Sequence, residues 1–139
     1  MKIMHIISGG DAGGAKTHVL SLLSGLSRTE KVRLVCFLEG PFSQEARELG
    51  IDTVVLPSRH LFKVVSGLAK EIDGEGYQIV HCHGSRANLI GALLKKRICA
   101  PVVTTVRSDY RLDYLGRPFH RLTYGTINSI CLRRLTYHI

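Results

Sequence analysis

A chain of 139 residues with 45% apolar and 22% charged content suits a single domain with its own core. That composition excludes a disordered or collagen-like chain, and no apolar run reaches the roughly 18 residues a membrane-spanning helix needs. The net charge of +8 is unevenly placed: residues 1–85 hold nine basic and nine acidic side chains, whereas residues 86–134 hold ten basic ones against Asp109 and Asp113. A basic face in the last third is therefore expected, suited to an anionic membrane surface or a phosphorylated substrate. An ordinary solvated surface is the plainer reading. Nucleic acid is not expected as a partner, because aromatic residues are not interleaved with the basic ones. Cys36, Cys82, Cys99 and Cys131 form no C-x-x-C pair, and all but Cys99 sit in apolar runs as small hydrophobes. With no signal sequence legible, a reduced, cytoplasmic setting is expected.

In chain order, a strand at residues 3–7 leads into a glycine-rich turn at 8–14. A helix follows, with Val19, Leu22, Leu23 and Leu26 on one face. Such a turn admits a ligand close to the backbone, and the helix N-terminus behind it favours anions. A second strand is predicted at 32–38, a short helix around 43–49 stopped by Gly50, and a third strand at 53–56. The next helix, 61–72, carries Leu61, Val64, Val65, Leu68 and Ile72 on one face. A fourth strand at 79–83 precedes a helix near 87–97, and a fifth strand spans 102–106. A polar loop at 107–118 leads to a last helix near 119–134, with Pro118 at its first turn.

Strand–helix alternation of this kind specifies an α/β fold with a doubly wound parallel sheet. Right-handed crossovers give the order 3-2-1-4-5, with the first and fourth strands side by side. The crevice of such a sheet lies at the C-terminal ends of those strands. There the glycine turn, His83-Gly84 and Arg107-Ser108-Asp109 are expected to converge. Tyr137-His138-Ile139 reads as the start of a sixth strand cut short, so the chain is expected to be part of something longer.

Four constellations carry chemistry. A dinucleotide-binding G-x-G-x-x-G turn matches at Gly10 and Gly13 but has Ser8 at its first glycine, with Glu39 as the candidate ribose acid. His81 and His83 point to one side of a strand, as a metal-binding pair would, but no third ligand stands at a suitable spacing. One packed histidine and one, His83, facing the crevice from the strand tip is the favoured reading, and no metal site is expected. Arg107 emerges at the crevice, where a guanidinium suits phosphate or carboxylate; pairing with Asp109 or Asp113 merely to order the loop is an equal alternative. On the last helix Phe119, Leu122, Ile127 and Ile130 face the core while Arg121, Arg133 and Arg134 stay solvated, which fits docking on a membrane surface.

Three stretches resemble the retaining glycosyltransferases of family 4. They are Ile6-Ile7-Ser8-Gly9-Gly10-Asp11-Ala12-Gly13-Gly14-Ala15-Lys16-Thr17-His18, Ile79-Val80-His81-Cys82-His83-Gly84-Ser85-Arg86-Ala87, and Pro101 to Tyr110. With Leu112-Asp113-Tyr114-Leu115-Gly116, the likeness leans toward bacterial enzymes of cell-envelope polysaccharide synthesis. The resemblance implies half of a GT-B fold: residues 1–139 as the N-terminal, Rossmann-like, acceptor-side domain, without the C-terminal domain that holds the nucleotide-sugar. It further implies sugar transfer with retention to an acceptor glycan or glycolipid, at the inner face of a membrane. The nucleotide-sugar serves as co-substrate, with no other cofactor and no metal. The fragment by itself would be inactive. The residues it assigns to substrate binding are Gly13, Gly14, Lys16, His83, Arg107 and Asp109. Arg107 stands where the family usually has a histidine. An arginine cannot be deprotonated at working pH, so a general base there is excluded. An NAD-type dinucleotide-binding domain and a non-enzymatic docking module with a basic face are the alternatives.

Overall fold

The computed structural model describes residues 1–10, 13–57, 59–105 and 137–138. Its elements alternate as the sequence pattern requires: β1 (Lys2–Ile7), α1 (Gly13–Leu26), β2 (Lys31–Cys36), α2 (Pro41–Glu48), β3 (Asp52–Val55), α3 (Leu61–Glu75), β4 (Ile79–His83), α4 (Ser85–Leu94), β5 (Val102–Thr105) and β6 (Tyr137–His138). The sheet is parallel throughout, in the order β3-β2-β1-β4-β5-β6. The α/β, Rossmann-like fold and the order 3-2-1-4-5 are thus as expected. The start of a sixth strand is present too, with Val103 opposite Tyr137.

Alternate residues of each strand supply two cores, one on each side of the sheet. Met4, Ile6, Val80, Cys82 and Val102 pack with Val65, Leu68 and Ile72 of α3 and Ile90 and Leu94 of α4. Ile7, Leu34 and Cys36 pack on the opposite side with Val19, Leu20 and Leu23 of α1 and Phe42 and Ala46 of α2. Both faces of the central strands are dry, which is why they read as nearly continuous apolar runs rather than as alternating ones. Cys36 and Cys82 are buried as expected, while Cys99 is exposed. Burial pushes the Cys82 thiol up to about 12.

Several boundaries differ from the sequence pattern, each for a local reason. The helix α1 starts at Gly13, so Gly13 and Gly14 are its first residues rather than part of the turn. The helix α2 starts at Pro41, because proline suits a first turn whose N–H has no partner in any case. Gly84, at φ 89°, turns β4 directly into α4, which therefore starts at Ser85. Gly76, also left-handed, closes α3 after Glu75, with its N–H bonded to the Ile72 carbonyl. The expected loop at 107–118 and the helix at 119–134 lie outside the described residues, as does Cys131.

Candidate functional site

The C-terminal ends of β1 and β4 meet because the two strands are neighbours in register, with Ile7 opposite His83. The turn after β1 and the tip of β4 therefore sit together at one end of the sheet, as the strand order demands. Gly9 has φ 92°, and a Cβ there would lie 2.8 Å from the Leu38 carbonyl oxygen and 3.2 Å from Cys36 Cβ. Phe37 N donates to the Ser8 carbonyl at 3.0 Å, tying the same turn to the end of β2. The glycine at position 9 is needed for close backbone approach to the β2–α2 connection. Behind the turn, Gly13 and Gly14 head α1, where the first N–H groups of a helix have no intrahelical acceptor and favour an anion. Lys16 lies one turn in. Its ammonium pairs with Glu45 of α2 at 2.6 Å, so much of its charge is met by a carboxylate.

At the tip of β4 the expected roles of the two histidines are exchanged. His83 is buried at 1% exposure, whereas His81 is only half-buried. The reason lies in β1: His5 stands opposite His81, on the same side of the sheet as both histidines of β4. His5 Nδ1 lies 3.1 Å from His83 Nε2, drawing His83 inward. His81 Nε2 reaches Thr105 Oγ1 at the end of β5, 2.6 Å away. The three rings form one cluster, with centroids 4.2–5.3 Å apart. Burial, and to a lesser degree the neighbouring His81, pushes the His5 pKa down to about 3, so the ring is neutral at physiological pH. No third ligand stands at a suitable spacing along the sequence, yet strand pairing brings a third imidazole, His5, beside the pair. Spacing within one segment could not show His5; combining the period of two in a strand with the 1–4 adjacency could have.

On the far face of β5, Thr104 Oγ1 donates to Asn88 Oδ1 of α4 at 2.6 Å, both buried. No local sequence signal marks this pair, because its two members meet only through the packing of α4 on β5. Glu39, the candidate ribose acid, is engaged elsewhere: its two oxygens take Arg47 Nη1 at 2.8 Å and Nη2 at 3.2 Å, and Ser43 Oγ donates to it at 2.7 Å. Arg47 first, and Ser43 second, hold its carboxyl below the usual range. That arrangement fixes the β2–α2 connection rather than presenting an acid to a ribose. Arg107 and Asp109 lie outside the described residues.

The sequence model of glycosyltransferase family 4 matches residues 12–138, nearly the whole chain. The chain belongs to glycosyltransferase family 4. Among solved structures, this family 4 chain is similar to Anabaena HepE in complex with UDP, with a TM-score of 0.78 at 17% identity. That match covers 99% of this chain and 37% of HepE. It is also similar to MurG of Acinetobacter baumannii, with a TM-score of 0.69 at 14% identity, covering 99% of this chain and 40% of that one. The NAD(P)-binding domain of an exopolyphosphatase-related protein from Archaeoglobus fulgidus aligns at a TM-score of 0.58 and 16% identity, over 99% of this chain and 86% of that one. At such identities the likenesses establish the Rossmann-like fold, which sugar transferases and dinucleotide-binding domains share; the family match separates the two readings. Among curated proteins none matches the chain. The family 4 chain spans well under half the length of HepE and of MurG.

Proposed function

We propose that residues 1–139 are the acceptor-side domain of a retaining glycosyltransferase that moves a sugar from a nucleotide-sugar to a hydroxyl of a cell-envelope glycan or glycolipid. The observation that carries this reading is the family 4 match over residues 12–138, on a sheet whose glycine turn and β4 tip share one end. The N–H groups of Gly13 and Gly14, at the positive end of α1, suit the donor's diphosphate. Lys16 adds charge only to the extent that Glu45 releases it. Arg107 and Asp109 serve the acceptor side, while His83, buried at 1% exposure, supports the end of β4 from behind rather than touching substrate. HepE was solved with UDP, with UDP and glucose, and with UDP-glucose, which supports a uridine nucleotide-sugar as the first donor to try.

Retention at the anomeric carbon requires that the new bond form on the face the nucleotide leaves. In this division of labour the domain binds the acceptor and shields the reacting centre from water, and a partner domain grips the nucleotide. The chain by itself then binds nucleotide-sugars weakly and transfers nothing. Calorimetry with a panel of UDP- and GDP-sugars tests it, and tight, saturable binding by this chain alone would overturn the division. For Arg107, alanine substitution in the complete enzyme should lower turnover by removing a charge-assisted bond. A clear gain on Arg107→His would show that the site retains the family's histidine geometry instead.

Docking on the cytoplasmic face of an anionic membrane is a second part of the proposal. It rests on the basic excess of residues 86–134 and on exposed Arg86, Lys95, Lys96 and Arg97. Lys95–Arg97 also follow the C-terminus of α4, where cations complement the helix dipole whether or not a membrane is near. Among the described residues no helix is long and apolar enough to cross a membrane. Sedimentation with vesicles separates the cases: binding that needs anionic lipid and weakens with salt supports docking. Equal binding to neutral vesicles refutes it.

A further inference from the structure

We propose that His5, His81 and His83 form a binding site for a divalent transition metal of the zinc type, with three imidazole ligands and one position left for water. The site goes beyond the glycosyltransferase reading, and no step of sugar transfer is routed through it. Its basis is register. Parallel pairing puts His5 of β1 beside His81 of β4, and the period of two in a strand puts His83 on the same face. One nitrogen from each ring lies within 4.8 Å of the others.

One distance fits a metal as well as it fits a hydrogen bond, and a second contact sets the tautomer of His81. Nitrogens about 2.05 Å from a tetrahedral zinc are roughly 3.3 Å apart, and His5 Nδ1 and His83 Nε2 are separated by 3.1 Å. His81 Nε2 lies 2.6 Å from Thr105 Oγ1. With that nitrogen donating, Nδ1 becomes the lone-pair nitrogen of the ring. A metal-bound histidine characteristically uses its second nitrogen in this way, to fix its tautomer and orientation. His5 Nε2 is buried without a hydrogen-bond partner among the described residues. With Nδ1 as the ligand, this nitrogen carries the ring proton. The His81 and His83 rings are stacked at 26° with centroids 4.2 Å apart, and His5 stacks on His83 at 19°. A rotation about χ2, a soft torsion in histidine, is what convergence on one ion requires. Imidazole nitrogens select zinc, copper, nickel or cobalt over magnesium or calcium.

The site ties the two central strands together at the end of the sheet where the glycine turn lies. The test uses the tag-free full chain, freed of metal with a chelator and titrated with zinc against a chromogenic competitor. The expected result is one zinc per chain, at least tenfold weaker binding in His81→Ala and in His5→Gln, and no change when exposed His18 and His60 are both replaced by alanine. Cobalt should give the strong visible absorption of a tetrahedral ion, lost in the same two variants. Circular dichroism checks folding, and should His5→Gln fail to fold, half-buried His81→Ala decides alone. Absence of one-to-one binding, or binding unchanged in His81→Ala, overturns the proposal and leaves the 3.1 Å contact as a hydrogen bond between neutral rings.

Discussion

Replacing Gly9 by alanine tests whether the turn after β1 is built on close backbone approach. Two costs arise there. Gly9 has φ 92°, and a residue with a Cβ in the left-handed region loses about 1–2 kcal/mol. The new Cβ would also lie 2.8 Å from the Leu38 carbonyl oxygen, closer than real Cβ contacts come. A backbone oxygen cannot swing aside as a flexible side chain can. Relief means shifting the β2–α2 connection, which Ser8 holds through Phe37 N at 3.0 Å. Forcing extra volume into a packed site costs a further 1–3 kcal/mol, roughly, so Gly9→Ala should lose about 2–5 kcal/mol. Gly50 is the control, since its φ is 79° but nothing lies within 4 Å of its Cβ position. Gly50→Ala should show only the conformational cost, about 1–2 kcal/mol. Urea unfolding followed by far-ultraviolet circular dichroism measures both, the chain having no tryptophan. Equal losses at the two positions would refute the close-approach reasoning. A third variant, Gly10→Ala, meets only Leu38 Cδ1 at 3.4 Å and should lose far less than Gly9→Ala.

Thr104→Val removes the hydroxyl that donates to Asn88 Oδ1 at 2.6 Å. It should lower stability by about 1–2 kcal/mol in the same unfolding assay, and an unchanged midpoint would show that the bond contributes nothing. In chelator, the metal-free protein should lose stability as the pH falls below the unfolded histidine value near 6.5. The reason is that His5 titrates only at about 3 in the fold, while the unfolded chain takes up the proton. That stability is fully present above the unfolded value, and at pH 5.5 the loss from His5 alone is about 1.4 kcal/mol. Comparing unfolding at pH 7.5 and 5.5 for the wild type and His5→Asn isolates it, and an identical pH difference in both would refute the burial of a neutral ring. Among Cys36, Cys82 and Cys99, only exposed Cys99 should react quickly with a maleimide in the native state. Peptide mapping reads this, and fast modification of Cys82, whose thiol is pushed up to about 12, would contradict its burial.

Legibility in the sequence followed the strength of the local signal. The strand at 79–83 was readable to the residue because it is a short apolar run closed by Gly84. The helices α1 and α4 start earlier than the sequence pattern implies, because Gly13, Gly14 and Ser85 are poor helix formers and helix starts depend on where a glycine lets the chain turn. That the glycine turn and the tip of β4 share one end of the sheet followed from strand order. The exchange between His81 and His83 did not, because it depends on a ring contributed from 78 residues away in the chain.

The sequence by itself determined the alternation of strands and helices, the parallel sheet and its order. Hydrophobic periodicity and crossover handedness are properties of the chain, and few topologies satisfy both. It also carried the family resemblance in the order of three motifs. Only the tertiary structure decided which side chains share an environment. Pairing β1 with β4 set His5 against His81 and His83, and the β2–α2 connection brought Glu39 to Arg47 and Ser43. Lys16 was matched with Glu45 across two helices. Such contacts join residues far apart in sequence, and they arise only when strand register and helix packing fix which faces meet.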